Sequence, residues 1–331
     1  GVRSAMPTAR ALRLCPHLIL VPPDRPFYLR LHEAMRAVTD RLFPVTEWSS
    51  IDEFYADTTT LQSMYPDPIA LGRLVKNEIY AATGLRCTVA VASSKTVAKI
   101  AADRHKPDGL IVVGGGTEPS FLAPCPLRTL PGIGPKTMSK LHHLGLMTIG
   151  DLVNPRWDGP LRQLFGNSLA AVRDLARGVD REPVVPQRES KSLGRETTFE
   201  QDTRDPLLLE RTLRRFLGLL AHDLRQHGLA AAACVVKLKD SRFVTTTKRR
   251  RFSRPLNDES TMWPTTRQAL YDLIKGGIAY RLTGLMLTDL VPASPSLFDQ
   301  RRAKAIEVMD RLIDRYGPAV IGLGGVSKKE A

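Results

Sequence analysis

Apolar positions recur at helical spacing over residues 27–42, and again through Leu71, Leu74, Val75 and Ile79. Asp67-Pro68 can open the second helix, with Pro68 in the first turn and Gly84 past the end. Between the two, 46–58 reads as a strand, a turn or a hairpin. Short strands are predicted at 87–92 and 110–113, with a helix over 94–104 that Ser93 or Ser94 caps. This alternation over 27–117, closed by Gly114-Gly115-Gly116, predicts an α/β layer with a mixed sheet. From 118 to 182 the pattern turns helical with short loops. Strand-like runs at 191–199, 233–239, 244–252 and 280–287 then flank helices. One of these helices is well marked: Asp205 caps it, Pro206 sits first, and Leu209, Leu213, Phe216, Leu220 and Leu224 share a face before Gly228. The stretch 181–188, with Pro183 and Pro186, reads as an extended linker, and a last helix is predicted over 302–316.

At 331 residues the chain exceeds one small domain, and 43% hydrophobic residues support a sizeable core. A net charge of +14 points to a polyanionic partner, of which nucleic acid is the commonest. Cys15, Cys87, Cys125 and Cys234 form no CxxC pair, which argues against a zinc knuckle or a redox dithiol. They read as reduced thiols. With no apolar run near the ~20 residues that span a bilayer and no signal peptide, a cytoplasmic protein without a membrane partner is expected.

Four segments carry chemistry. In Ser49-Ser50-Ile51-Asp52-Glu53-Phe54-Tyr55-Ala56-Asp57-Thr58, paired carboxylates interrupt a segment that otherwise reads as a strand. A buried acid pair is costly without a metal or a partner cation, whereas an edge-strand pair in water is the plainer alternative. One β–α unit later, Lys95 and Lys99 stand four apart near a helix N-terminus, a pattern suited to an anion such as phosphate. Leu130-Pro131-Gly132-Ile133-Gly134-Pro135-Lys136-Thr137-Met138-Ser139-Lys140 is a helix–hairpin–helix signature. Gly132 and Gly134 allow the tight turn whose amides meet a DNA phosphate, and Lys136 and Lys140 add charge. Farther on, Lys237, Lys239, Arg242, Lys248, Arg249, Arg250, Arg251 and Arg254 crowd one hairpin-like region. Alternation puts several of them on one sheet face, where they would follow a phosphate backbone.

These motifs, together with Gly1-Val2-Arg3-Ser4-Ala5-Met6-Pro7, Lys106-Pro107-Asp108-Gly109 and Lys191-Ser192-Leu193-Gly194-Arg195-Glu196, resemble the Y-family (translesion) DNA polymerases in order and spacing, nearest to the polymerase IV branch. The resemblance implies an α+β multidomain right hand. Residues 1–25 would be partial fingers, 26–117 a mixed-sheet palm, and 118–182 an all-α thumb with the helix–hairpin–helix. Residues 183–190 would be a linker, 191–290 an α/β little finger and 291–331 a tail. The implied reaction is template-directed nucleotidyl transfer on primer–template DNA from a deoxynucleoside triphosphate (dNTP), with two Mg²⁺ ions on Asp52 and Glu53. By the same match, Arg3, Ser4 and Met6 would lie over the nascent base pair and Lys99 on the triphosphate. Arg195, Lys248, Arg249, Arg250 and Arg251 would join the helix–hairpin–helix in holding DNA. The family's first palm strand, with a further metal-binding Asp, an aromatic steric gate and a Tyr-x-x-Arg pair, would precede Gly1. The chain is therefore expected to be a fragment that binds DNA better than it copies it, and a non-catalytic DNA-binding paralogue is the alternative. Ser294-Pro295-Ser296-Leu297-Phe298-Asp299 resembles a sliding-clamp peptide anchored by Leu297 and Phe298, although an ordinary linker fits as well. A monomer is expected.

Overall fold

Asp24 starts the first long helix, its carboxylate accepting from the Phe27 amide at 3.0 Å, with Pro26 in the first turn. The computed structural model describes residues 1–186, 190–293 and 300–317. Contacts divide it into two units, Gly1–Arg188 and Glu189–Ala331, and the division falls inside the stretch read as a linker.

The first unit runs α1 (Thr8–Leu14), α2 (Arg25–Leu42), β1 (Thr46–Trp48), β2 (Phe54–Ala56), α3 (Pro68–Thr83), β3 (Val89–Val91), α4 (Lys95–Arg104) and β4 (Leu110–Val112). Four short helices follow: α5 (Glu118–Leu122), α6 (Pro135–His143), α7 (Asp158–Phe165) and α8 (Leu169–Ala176). Strands β1 and β2 form an antiparallel hairpin, and β3 and β4 pair in parallel across α4. Residues 46–112 thus hold both kinds of pairing that a mixed sheet needs, as two separate two-stranded sheets. Helix α3 ends where its sequence says it should, at Gly84 with φ +72°, a left-handed position that suits glycine.

Two cores fill this unit. Val38, Phe43, Leu71, Val75 and Ile79 pack α2 against α3 and the hairpin. The larger core joins Val97, Ile100 and Ala101 of α4, and Val113, to Leu122, Leu127, Leu141, Leu152, Leu161 and Ala176. Helix α4 and the helices after residue 117 therefore share one apolar interior, with no gap in packing at residue 117.

The second unit holds β5 (Ser192–Thr203), α9 (Pro206–Gln226), β6 (Leu229–Asp240), β7 (Thr245–Leu256), α10 (Glu259–Tyr271), β8 (Tyr280–Pro292) and α11 (Gln300–Tyr316). Its sheet has the order β5-β8-β6-β7, antiparallel throughout. Leu213, Leu217 and Leu220 of α9 and Met262 and Leu270 of α10 bury one sheet face through Cys234, Val236, Leu238, Leu285 and Leu287. Helix α11 docks on α9, where Asp310 accepts from Arg225 (Nε at 2.7 Å) and faces His222 Nδ1 at 2.8 Å. Among the described residues no helix is long and apolar enough to cross a membrane.

Candidate functional site

The acid pair is not buried in a strand. Pairing of β1 with β2 stops at Trp48 and Phe54, so Asp52 and Glu53 belong to the hairpin turn between them. Asp52 is exposed and accepts from the Ser50 hydroxyl at 2.5 Å. Apolar alternation breaks off between Trp48 and Phe54, where Ile51 alone is apolar, which fits the hairpin among the readings of 46–58. The turn is held from α2: His32 Nδ1 lies 3.0 Å from the Ile51 carbonyl, and its ring stands edge-on to Trp48 at 4.6 Å.

Glu53 is half-buried among cations. Lys99 donates to its Oε1 at 2.5 Å, and Lys106 lies 3.5 Å from the same oxygen. Asp103 closes the cluster, 2.8 Å from Lys106 and 3.5 Å from Lys99. Asp103 and the Glu53 carboxylate hold the Lys106 ammonium above its ordinary pKa against some desolvation. Lys106 joins this cluster from its Lys-Pro-Asp-Gly setting, to which the sequence alone gives no role of its own.

Lys95, four residues before Lys99, does not share its role. It is buried in an ion pair with Glu47 at 2.9 Å, and Glu47 also accepts from the Val185 amide at 3.0 Å. Asp180 accepts from the Thr96 hydroxyl at 2.8 Å. These residues, with Tyr55, Lys99 and Pro131, line a cavity of about 630 Å³.

Asp52 and Glu53 offer the hard oxygens a divalent cation takes. Yet Glu53 already faces two ammonium groups, and among the described residues no three His, Cys, Asp or Glu side chains converge as a metal cage. The two carboxylates do not fit a self-contained two-metal centre. Arg3, Ser4 and Met6 lie in a turn leading into α1, with Arg3 and Ser4 exposed; the Met6 amide bonds the Arg3 carbonyl at 3.2 Å.

The glycine hairpin forms as its sequence suggests. Gly132 has φ +87°, Gly134 caps α6, and Lys136 and Lys140 are exposed on that helix. The hairpin is anchored from beneath by buried Ile133, Leu130 and Leu141.

The basic strands sort by face. Arg249 and Arg251 pair with Val235 and Ala233 and stand on the open face, in the same alternation as Lys237 and Lys239. Lys237 reaches Glu196 at 2.8 Å, and Arg249 bonds Asp289. Lys248 and Arg250 oppose buried Val236 and Cys234 instead, on the helix-covered side, and both reach Asp272 just after α10. Arg195 lies on that side too, opposite buried Leu285, with its guanidinium 2.9 Å from Asp223 of α9. Sheet parity thus removes Arg195, Lys248 and Arg250 from the open face. Leu297 and Phe298 lie outside the described residues.

Residues 1–103 match the impB/mucB/samB family, 190–300 its C-terminal domain, and 116–146 its helix–hairpin–helix motif. The chain is 39% identical to the DNA polymerase IV of Methanoculleus marisnigri, covering 88% of this chain and 80% of that protein. It is 32% identical to that of Caulobacter vibrioides over 99% and 83%. A Y-family DNA polymerase chimera of Dbh and Dpo4 superposes with a TM-score of 0.79 at 25% identity, covering 88% of this chain and 85% of that one. An insertion ternary complex of Dbh DNA polymerase gives 0.61 at 25% identity over 88% and 85%.

Proposed function

Because this chain belongs to the impB/mucB/samB family, has the Y-family polymerase fold and is a DNA-directed DNA polymerase, we propose that its reaction is centred on the β1–β2 turn and the lysines of α4 and the loop after it. The observation that carries this reading is the convergence of Lys99 and Lys106 on the carboxylate of Glu53, next to Asp52. An ammonium held by a carboxylate is a stored cation. A triphosphate brings more negative charge than Glu53 and can draw both lysines onto its oxygens. That exchange frees Glu53 as the nucleotide arrives.

The two units divide the remaining work, each within itself. In the first, the amides of the Gly132–Gly134 turn and the charges of Lys136 and Lys140 hold a DNA phosphate and read no sequence. In the second, Arg249 and Arg251, with Lys237 and Lys239, follow a phosphate backbone on the open sheet face. Contacts of this kind tolerate an altered base, which suits synthesis on damaged templates. Arg3, Ser4 and Met6 keep the role at the nascent base pair that the resemblance gives them.

Polymerases of this family generally depend on a divalent metal. The hardness of the carboxylates makes Mg²⁺ the ion we assign to that requirement. Asp52 and Glu53 alone do not complete its coordination. A sliding clamp that takes Leu297 and Phe298, a monomeric state and a cytoplasmic location complete the reading.

The test is primer extension beside duplex binding, for the chain and for Asp52→Ala. Loss of extension with duplex affinity kept within about twofold is expected. Equal extension by the variant overturns the catalytic role of the turn.

A further inference from the structure

The ammonium of Lys76, in the middle of α3, is surrounded by oxygens. It donates to the Cys87 carbonyl at 2.7 Å, to the Asp108 carbonyl at 2.7 Å and to the Asp108 carboxylate at 2.5 Å, and it lies 3.2 Å from the Gly109 carbonyl. The side chain keeps 18% exposure. A compact three-donor cation thus ties the segment entering β3 to the loop between α4 and β4. Two residues before Asp108, that loop carries Lys106.

The loop has little freedom to settle elsewhere. Asp108 holds φ +52°, a conformation that a side-chain-bearing residue adopts at a cost, though Asp tolerates it better than most. A Cβ on Gly109 would stand 2.2 Å from the His105 carbonyl oxygen. The Gly109 amide is closed off by the Thr88 hydroxyl at 3.1 Å. Arg86 also reaches the Asp108 carboxylate, at 2.6 Å, but it is 72% exposed, and an ion pair in water holds little. The half-buried Lys76 is the stronger anchor.

We propose that Lys76 is a positioning residue for nucleotide binding: by gripping Asp108 and Gly109 it sets where Lys106 presents its ammonium beside Glu53. This rests on the reading of Lys106 as a triphosphate cation. A role confined to packing α3 on β3 and β4 would stabilise the unit without bearing on the nucleotide.

Lys76→Met in the full chain separates the two. Amide hydrogen exchange is followed through 105–110, and dNTP affinity is measured on a primer–template with a 3′-dideoxy end, which needs no turnover. Exchange in the loop should quicken about tenfold, and the dNTP dissociation constant should rise about tenfold. Lys76→Arg should restore most of both. Lys106→Ala should raise the dissociation constant by a similar factor, and adding Lys76→Met to it should change little more, since one interaction is lost once. Protection of α8 reports that the unit still folds; if Lys76→Met loosens α8, Asp108→Asn replaces it and should give the same two shifts. Unchanged loop exchange overturns the proposal. So does faster exchange with an unmoved dNTP affinity where Lys106→Ala does move it. If Lys106→Ala has no effect on dNTP affinity, the reading of Lys106 itself fails, and the proposal falls with it whatever the exchange shows.

Discussion

Lys95 and Lys99 look equivalent in the sequence, one helical turn apart on one face, and the fold gives them opposite tasks. Spacing along a helix reveals a shared face but not a partner far away in the chain, and the buried pair of Lys95 is Glu47. Removing Lys95 takes the nearest cation from the largely buried Glu47 carboxylate, which keeps its bond from the Val185 amide. Lys95→Met should therefore lower the stability of the first unit by about 3–5 kcal/mol, read from urea unfolding; a change within error would mean that Glu47 is well solvated. Asp180 gives a pH signature nearby. Burial alone would raise its carboxyl, but the amide of Glu182 and the hydroxyl and amide of Thr96 outweigh it and hold the pKa below the ordinary value. Folding then favours the ionised form, so its contribution is present above the unfolded carboxylate pKa of about 3.9 and is lost as pH falls through the lower folded value. Wild type and Asp180→Asn should differ in urea midpoint at neutral pH and converge in strong acid. A difference that persists in acid would assign the effect to something other than ionisation.

Elements were legible where one physical rule dominates. Apolar spacing marked α2, whose Asp24 cap was not read, and caps and terminators marked α3 and α9, where Asp67 and Asp205 each bond an amide of the first turn. Strands β5 to β8 showed through alternation, shorter than they are. Helix α10 did not show, since Pro264 sits inside it and reads as a breaker, while burial of Met262, Thr266 and Leu270 holds the helix together. Parity divides the basic residues of β7 between two faces, which composition alone cannot do. This yields a prediction at the same scale. Arg249→Ala with Arg251→Ala should flatten the slope of log affinity against log salt by about 2, whereas Lys248→Ala with Arg250→Ala should change it far less. Fluorescence anisotropy of a labelled duplex across a salt series measures both, and equal effects from the two pairs would erase the distinction between faces.

At the scale of the whole chain, the charge of +14 and the order of motifs were enough to point to a polymerase that grips DNA through its backbone. The hairpin was among the readings of 46–58, but the surroundings of its carboxylates were not legible, because they depend on His32 and α4 from elsewhere in the sequence. The core of the second unit is drawn from its own strands and helices. A fragment of residues 190–317 should accordingly unfold cooperatively by itself and keep its salt-sensitive DNA binding; a fragment without near-ultraviolet circular dichroism would show that it needs the rest of the chain. The first unit offers no comparable cut. Side chains of α4 and the helices after residue 117 interdigitate in one interior, and Ser94 and Thr96 bond Gly178 and Asp180 across its two ends. In terms of inheritance, the Gly132–Gly134 hairpin is not a cassette that recombination can trade between relatives. It has to vary in step with the lysine-bearing helix that shares its core, while the basic sheet can be exchanged as a module.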